Sequence, residues 1–396
     1  MTFCMLRRVA PLGCRFATIL SAILIVAALG SSKNVAAAEP SSLRVYIGTY
    51  TSGGSQGIYQ TTLNLVTGEL APPELADEAK NPSFLALPES EAFLYSVSEV
   101  SDYKDSHGGA LSAFTVDGKS GNLALLNHQS SGGAGPCFVS LDAAGRHALT
   151  ANYGSGSVAV LPIGADGKLD PASCIVQHEG SGPNESRQKG PHAHCIKLDP
   201  ANKFALAADL GCDKVFVYRF DEQAGKLTPN DPPAMETKPG AGPRHLAFHP
   251  SGKFVYVINE LDNTMIATSY DGDRGVLKPL QTVSIVSPQA PAGTSGAEVV
   301  VHPSGMFVYG STRGEDAIAM FAIDETTGML TPLGEYPAGG KTPRNFNIDP
   351  TGKFLLAALQ GSDRVVVHAI DSETGKLTQT DHAIDVAMPV CVKFAK

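Results

Sequence analysis

Tryptophan is absent from these 396 residues, and only 17% of them are charged. The first absence removes the propeller repeats built around a Trp-Asp dipeptide, and with them the protein-scaffold functions such repeats serve. The low charge, set against 43% hydrophobic residues, excludes a disordered chain and allows a large buried core. The 7 cysteines contain no C-x-x-C pair, so neither a zinc site nor a dense disulfide framework is indicated. No Walker loop, zinc-helix pair or calcium-loop spacing occurs. Long apolar runs are missing too, with one exception.

That exception is N-terminal. Arg7, Arg8 and Arg15 precede an apolar run from Phe16 to Gly30, and Ala36, Ala37 and Ala38 follow as a small-residue cleavage site. The run is about fifteen residues, shorter than the roughly 20 that a spanning helix needs. The pattern predicts a signal peptide over 1–38 and an exported chain, periplasmic or secreted, with no membrane contact beyond the leader. Cys14 precedes the run, which argues against a lipoprotein anchor there. Cleavage removes Arg7, Arg8, Arg15 and Lys33 and no acid, moving the formal charge from −9 to −13. A body this acidic repels nucleic acid. Cys137, Cys174, Cys195, Cys212 and Cys391 remain, and one bridge, Cys195 to Cys212, is open to them in an oxidising compartment.

Turn residues, in contrast, are abundant: 41 Gly and 27 Pro separate short runs rich in Val, Ile, Tyr, Phe and Thr, which favours strands over helices. The punctuation repeats. A Gly-x-Leu turn occurs at Gly68, Gly121, Gly167, Gly225, Gly275, Gly328 and Gly375, at intervals of 53, 46, 58, 50, 53 and 47 residues. Each interval fits one four-stranded propeller blade. A second turn lies half a unit away, at Asp199-Pro-Ala-Asn-Lys-Phe204, His249-Pro-Ser-Gly-Lys-Phe254, His302-Pro-Ser-Gly-Met-Phe307 and Asp349-Pro-Thr-Gly-Lys-Phe354, with a degenerate copy around Asp142 to Gly145. The fold expected is all-β: a single seven-bladed β-propeller over 39–396 with four-stranded antiparallel blades. Its C-terminal strand, Pro389 to Phe394, should join the N-terminal blade beside Arg44 to Tyr50 and close the ring, removing free sheet edges.

In such blades the second-to-third-strand loops and the connections between blades share one face, and the tight turns share the other. Residues that open an innermost strand or close its neighbour therefore meet at the channel mouth. The openings are Asn81, Gly135, His192 with His194, Arg244, Glu298 and Arg344. The closings are Tyr50, Glu99, Asn152, Asp209, Glu260, Arg313 and Gln360. The longest interval contains an insert, His178 to Pro191, that places Asn184, Arg187 and Gln188 over the same mouth. Three arginines thus converge in an acidic protein, a set suited to water attack on an activated ester-type carbonyl without a metal. An imidazole or carboxylate takes the proton, and guanidiniums hold an anionic substrate and its developing oxyanion.

His192 is the expected acid/base, Glu260 its partner or an alternative base, and Arg244 and Arg313 the anion clamps. Arg344, His194, Arg187, Gln188, Glu298 and Asn152 are expected to contact substrate. The bland alternative is that inner Arg and Glu residues merely form inter-blade ion pairs. His249 and His302 belong to tight turns on the far face and read as structural. His245 points away from Arg244 by strand alternation and reads as core. Gly53-Gly54-Ser55-Gln56-Gly57 matches a nucleophile elbow but lies between two strands, without the strand-to-helix turn that motif requires.

Gly182-Pro183-Asn184 through Arg187-Gln188 to Pro191-His192-Ala193-His194, with Gly242-Pro243-Arg244-His245, Asn259-Glu260-Leu261, Ser311-Thr312-Arg313 and Thr342-Pro343-Arg344, resembles the propeller lactonase family. That group includes bacterial 6-phosphogluconolactonases and fungal carboxymuconate cycloisomerases, and the resemblance covers nearly all of residues 44 to 394. It implies a cofactor-independent enzyme acting on a small anionic sugar lactone or a related acid, with His192, Arg244, Arg313 and Glu260 in the site. The export signal departs from that picture, because phosphogluconolactone is an intracellular intermediate. A cycloisomerase and a non-catalytic exported binding propeller are the competing readings.

Overall fold

In a computed structural model, which describes residues 41–103 and 108–395, every repeat folds as one four-stranded antiparallel sheet, and there are seven such sheets. The proposed leader, 1–38, lies outside the described residues. No helix among the described residues is long and apolar enough to cross a membrane.

The innermost strands of successive blades are β28 (Pro389–Ala395), β4 (Leu85–Ala86), β8 (Pro136–Leu141), β12 (Ala193–Leu198), β16 (Pro243–Phe248), β20 (Ser295–Val301) and β24 (Pro343–Ile348). The N-terminal strand β1 (Ser42–Thr49) pairs antiparallel with β28, Val45 opposite Phe394, so the ring is closed as expected. Inner strands are buried along most of their length, whereas an outermost strand such as β23 (Leu330–Pro337) is exposed along most of its length beyond the buried Leu330. Apolar side chains therefore fill the gaps between blades, which is where the core sits.

The two repeated turns lock neighbouring blades together. Gly328 has φ +73, and a β-carbon there would overlap the Phe254 ring of the preceding blade. Two residues on, Tyr256 donates its hydroxyl to the Gly328 carbonyl at 3.2 Å. Tyr95 with Gly167 and Tyr309 with Gly375 repeat that bond. The turn histidines belong to the same scheme: His249 Nε2 lies 2.9 Å from the Gly305 carbonyl and His302 Nε2 2.9 Å from that of Gly352. Both are structural. The Cys195–Cys212 bridge does not form; all five cysteines among the described residues are free.

Candidate active site

A β-bulge opens the inner strands at the channel mouth. Pairing to the second strand slips between Pro136 and Phe138, Ala193 and Cys195, Pro243 and His245, Gly296 and Val299, and Pro343 and Asn345, and the β1 to β28 ladder slips between Pro389 and Cys391. A bulge re-aims the extra residue and breaks the two-residue alternation. Cys137, His194, Arg244, Arg344 and Val390 are the residues left over, and with Ser83 they line one narrow cavity on the channel. His245 and Asn345 line it too. The expectation that His245 points into the core is thereby corrected: the bulge turns it to the channel, where Nδ1 meets Glu298 Oε1 at 2.8 Å.

Glu260 is the electrostatic hub. The residue is 4% exposed; its carboxylate accepts from Arg187 Nη2 at 2.6 Å and Arg244 Nε at 3.0 Å and pairs with Arg313 Nη2 at 3.0 Å, a nitrogen that also donates to the Gly296 carbonyl. Burial alone would raise its pKa, but Arg313, Arg244 and Arg187 outweigh that and hold it at about 2. Arg244 also donates to the Ala297 carbonyl at 2.5 Å, and burial together with nearby Arg344 pulls its pKa below the usual guanidinium value. Burial, then Arg244 and Arg344, brings Arg313 down to about 10. Arg313 Nε is buried and finds no acceptor among the described residues. Arg187 keeps its charge firmly: burial opposes it, but the bonds to Tyr153 and Glu260 more than offset that cost.

His192 stands at the outer edge of this cluster, in the loop just before β12. Its backbone N–H donates to Asp209 Oδ1 at 2.8 Å, and its ring stacks on Tyr153 with centroids 4.4 Å apart. Nδ1 lies 2.8 Å from the Tyr153 carbonyl. A carbonyl can only accept, so Nδ1 carries the hydrogen, and in the neutral ring Nε2 keeps its lone pair. Tyr153 Oη in turn accepts from Arg187 at 3.1 Å, which joins His192 to the arginine and glutamate cluster.

Arg344 anchors the opposite wall. It donates to Tyr50 Oη at 3.0 Å, and Tyr50 donates to Glu99, which also accepts from Ser83. Burial, reinforced by Glu99, pushes the Tyr50 phenol well above its ordinary pKa, so it stays protonated. His194 is buried beside Arg244, His245 and Arg344, and burial plus those neighbours holds it neutral, its pKa well below the imidazole range.

The expected set thus divides. His192, Glu260, Arg244, Arg313, Arg187, Arg344 and His194 come together. Glu298 lies deeper, engaged by His245, Asn345 and the Val299 N–H. Gln188 is fully buried, its amide tied to the Leu210 carbonyl, Asp213 and the Asn184 N–H, so it pins the insert rather than facing the mouth. Asn152 is likewise buried, donating to Ser131 O in the connection from the preceding blade and to Ser157 Oγ in its own. Those two assignments as substrate contacts are corrected on that ground. Tyr153, one residue past Asn152, escaped sequence reasoning. Tyr50 and Glu99 were placed at the rim without a role.

The family model described as "Lactonase, 7-bladed beta-propeller" matches residues 44–394. The 6-phosphogluconolactonase of Bacillus subtilis is 39% identical over 349 residues, 88% of this chain and 97% of that one. A protein of the same name from Formosa agariphila is 34% identical, across 77% of this chain and 86% of its own. The solved structure of the periplasmic gluconolactonase of Pseudomonas aeruginosa superposes with a TM-score of 0.85 at 32% identity, covering 90% of this chain and 99% of that one.

Proposed function

Since the chain belongs to the seven-bladed β-propeller lactonase family, we propose that it hydrolyses a sugar lactone, 6-phosphogluconolactone or a close analogue, at the mouth built around His192 and Glu260. The observation that carries this reading is the 2.8 Å contact of His192 Nδ1 with a carbonyl, which leaves Nε2 free to accept a proton beside a cluster of guanidiniums.

In the reaction, water attacks the lactone carbonyl and gives a proton to His192 Nε2. Arg313, whose Nε–H lacks an acceptor among the described residues, and Arg344 hold the anionic groups of the substrate and the oxygen on which charge develops. The ring C–O bond then breaks, and the departing oxygen takes the proton back from His192, so lactone and water yield the hydroxy acid. Glu260 is held ionised and fully engaged. Its role is to position Arg187, Arg244 and Arg313 rather than to accept a proton. No step requires a metal or cofactor.

The test is a lactone panel with purified protein, gluconolactone and its 6-phosphate foremost. General-base catalysis contributes about 10²–10⁴-fold, so His192→Ala should reduce kcat/KM by that order while the melting temperature holds. Arg244→Ala should also be impaired. Full activity in both variants excludes this site, and turnover of a carboxymuconate instead of lactones would identify a cycloisomerase. Export follows from the leader pattern and is supported by the periplasmic relative. N-terminal sequencing of the exported protein should begin at Glu39.

A further inference from the structure

Beyond the lactone site, we propose that the far end of the same channel holds a second, independent binding site for a small anion, a phosphate or carboxylate group, gripped by Lys197 and Lys393. The argument starts from the bulges. Three residues inward from the channel-facing positions Ser83, Cys137, His194, Arg244, Arg344 and Val390 stand Ala86, Ser140, Lys197, Ala247, Asn347 and Lys393, and Val300, which follows the bulge of β20, joins them. Shared register puts these on one level, and all of them line the cavities below the mouth. That level carries two ammonium groups, two neutral polar side chains and no carboxylate.

The space is adequate. A cavity of about 220 Å³ lies inside, and another of about 720 Å³ opens among the tight turns at the far face; both are lined by Lys197, Asn347 and Lys393. The Phe84 and Phe138 rings, with centroids 4.2 Å apart, lie edge-on to His245 between this level and the arginines above. Lys393 Nζ sits 4.6 Å from the Phe84 centroid and makes no hydrogen bond or ion pair among the described residues. Lys197 Nζ donates once, to the Leu246 carbonyl at 2.8 Å, and keeps two N–H groups. Of the nearby carboxylates, Glu298 is held by His245 and Asn345 and its charge also faces Lys197, while Asp142 is engaged by His147 and the turn amides. Glu89 lines the outer cavity but is exposed. The half-buried Lys393 ammonium, without a counter-charge among the described residues, is an incomplete pair that an anion would complete, with Lys197 as the second donor.

This inference does not depend on the reaction at the mouth. Titrate the mature protein calorimetrically with inorganic phosphate and, separately, with gluconate. Two sites are expected for at least one anion, and which anion fills the lower site distinguishes a phosphate from a sugar-acid carboxylate. Lys393→Met, which keeps the stem over Phe84, should weaken the lower site at least tenfold. The same variant should leave kcat/KM and the competitive inhibition constant of the anion on lactone hydrolysis within about twofold. Arg313→Ala should do the reverse. The Lys197→Met/Lys393→Met protein, checked by its melting curve, should abolish the lower site. Unchanged stoichiometry and affinity in Lys393→Met, or a single wild-type site removed by Arg313→Ala, or no binding of either anion, overturns the proposal.

Discussion

Glu260→Gln keeps the shape of the side chain and removes the charge on which three guanidiniums depend. The carboxylate is held at about 2 against a free value of 4.5, a displacement worth about 3 kcal/mol in favour of the ionised form. In the variant, Arg187, Arg244 and Arg313 face one another without a counter-charge, and the amide N–H₂ must point at least one donor at another donor. Breaking a buried pair by removing one partner costs about 3–5 kcal/mol. In a domain of this size each kcal/mol moves the melting temperature by about 1.3 °C, so the variant should melt about 4–7 °C lower at pH 7.

The pH dependence carries its own sign. A carboxylate with a depressed folded-state pKa contributes stability that is fully present above the free value of 4.5 and is lost as pH falls towards about 2. Wild type and Glu260→Gln should therefore converge in that window. The assay is calorimetric melting of both proteins from pH 7 down to the lowest pH at which wild type still refolds. Melting temperatures that agree at pH 7, or a gap that persists unchanged towards pH 2, would refute the assignment of Glu260 as the ionised hub.

Gly328→Ala should destabilise by about 2–4 kcal/mol, because the left-handed backbone and the Phe254 ring both oppose a β-carbon there; a chemical denaturation midpoint near that of wild type would show that the inter-blade lock matters little. Tyr153→Phe loses the hydroxyl that accepts from Arg187 but keeps the ring under His192, so KM should rise while kcat holds. Tyr153→Ala also removes the stack and should lower kcat roughly tenfold, which a kcat against KM comparison resolves. With every described cysteine free, a reducing agent should leave the melting temperature of the mature protein unchanged, whereas a bridge would have contributed about 2–4 kcal/mol.

The ring was legible because its spacing rules are local: a Gly-x-Leu turn and a Pro-Gly turn each fix a strand reversal, and seven copies leave few other architectures open. The mouth was legible to the extent that strand order alone decides which ends face it, and His192, Arg244, Glu260 and Arg313 follow from that. Strict alternation fails where a bulge intervenes, and His245 was misplaced for that reason. A usable signal was present, since Pro136, Pro243, Pro343 and Pro389 each sit at the slip, and a residue without an N–H cannot sustain the regular ladder there. Gln188 and Asn152 were misread for a different cause: a polar residue at a loop end serves the backbone of that loop as readily as a ligand, and only the hydrogen bonds decide. The role of Glu260 was out of reach for sequence reasoning altogether. One arginine already lowers the pKa of a carboxylate; arginines from residues 187, 244 and 313 together hold this one ionised in spite of its burial, and that combination exists only once the ring has closed.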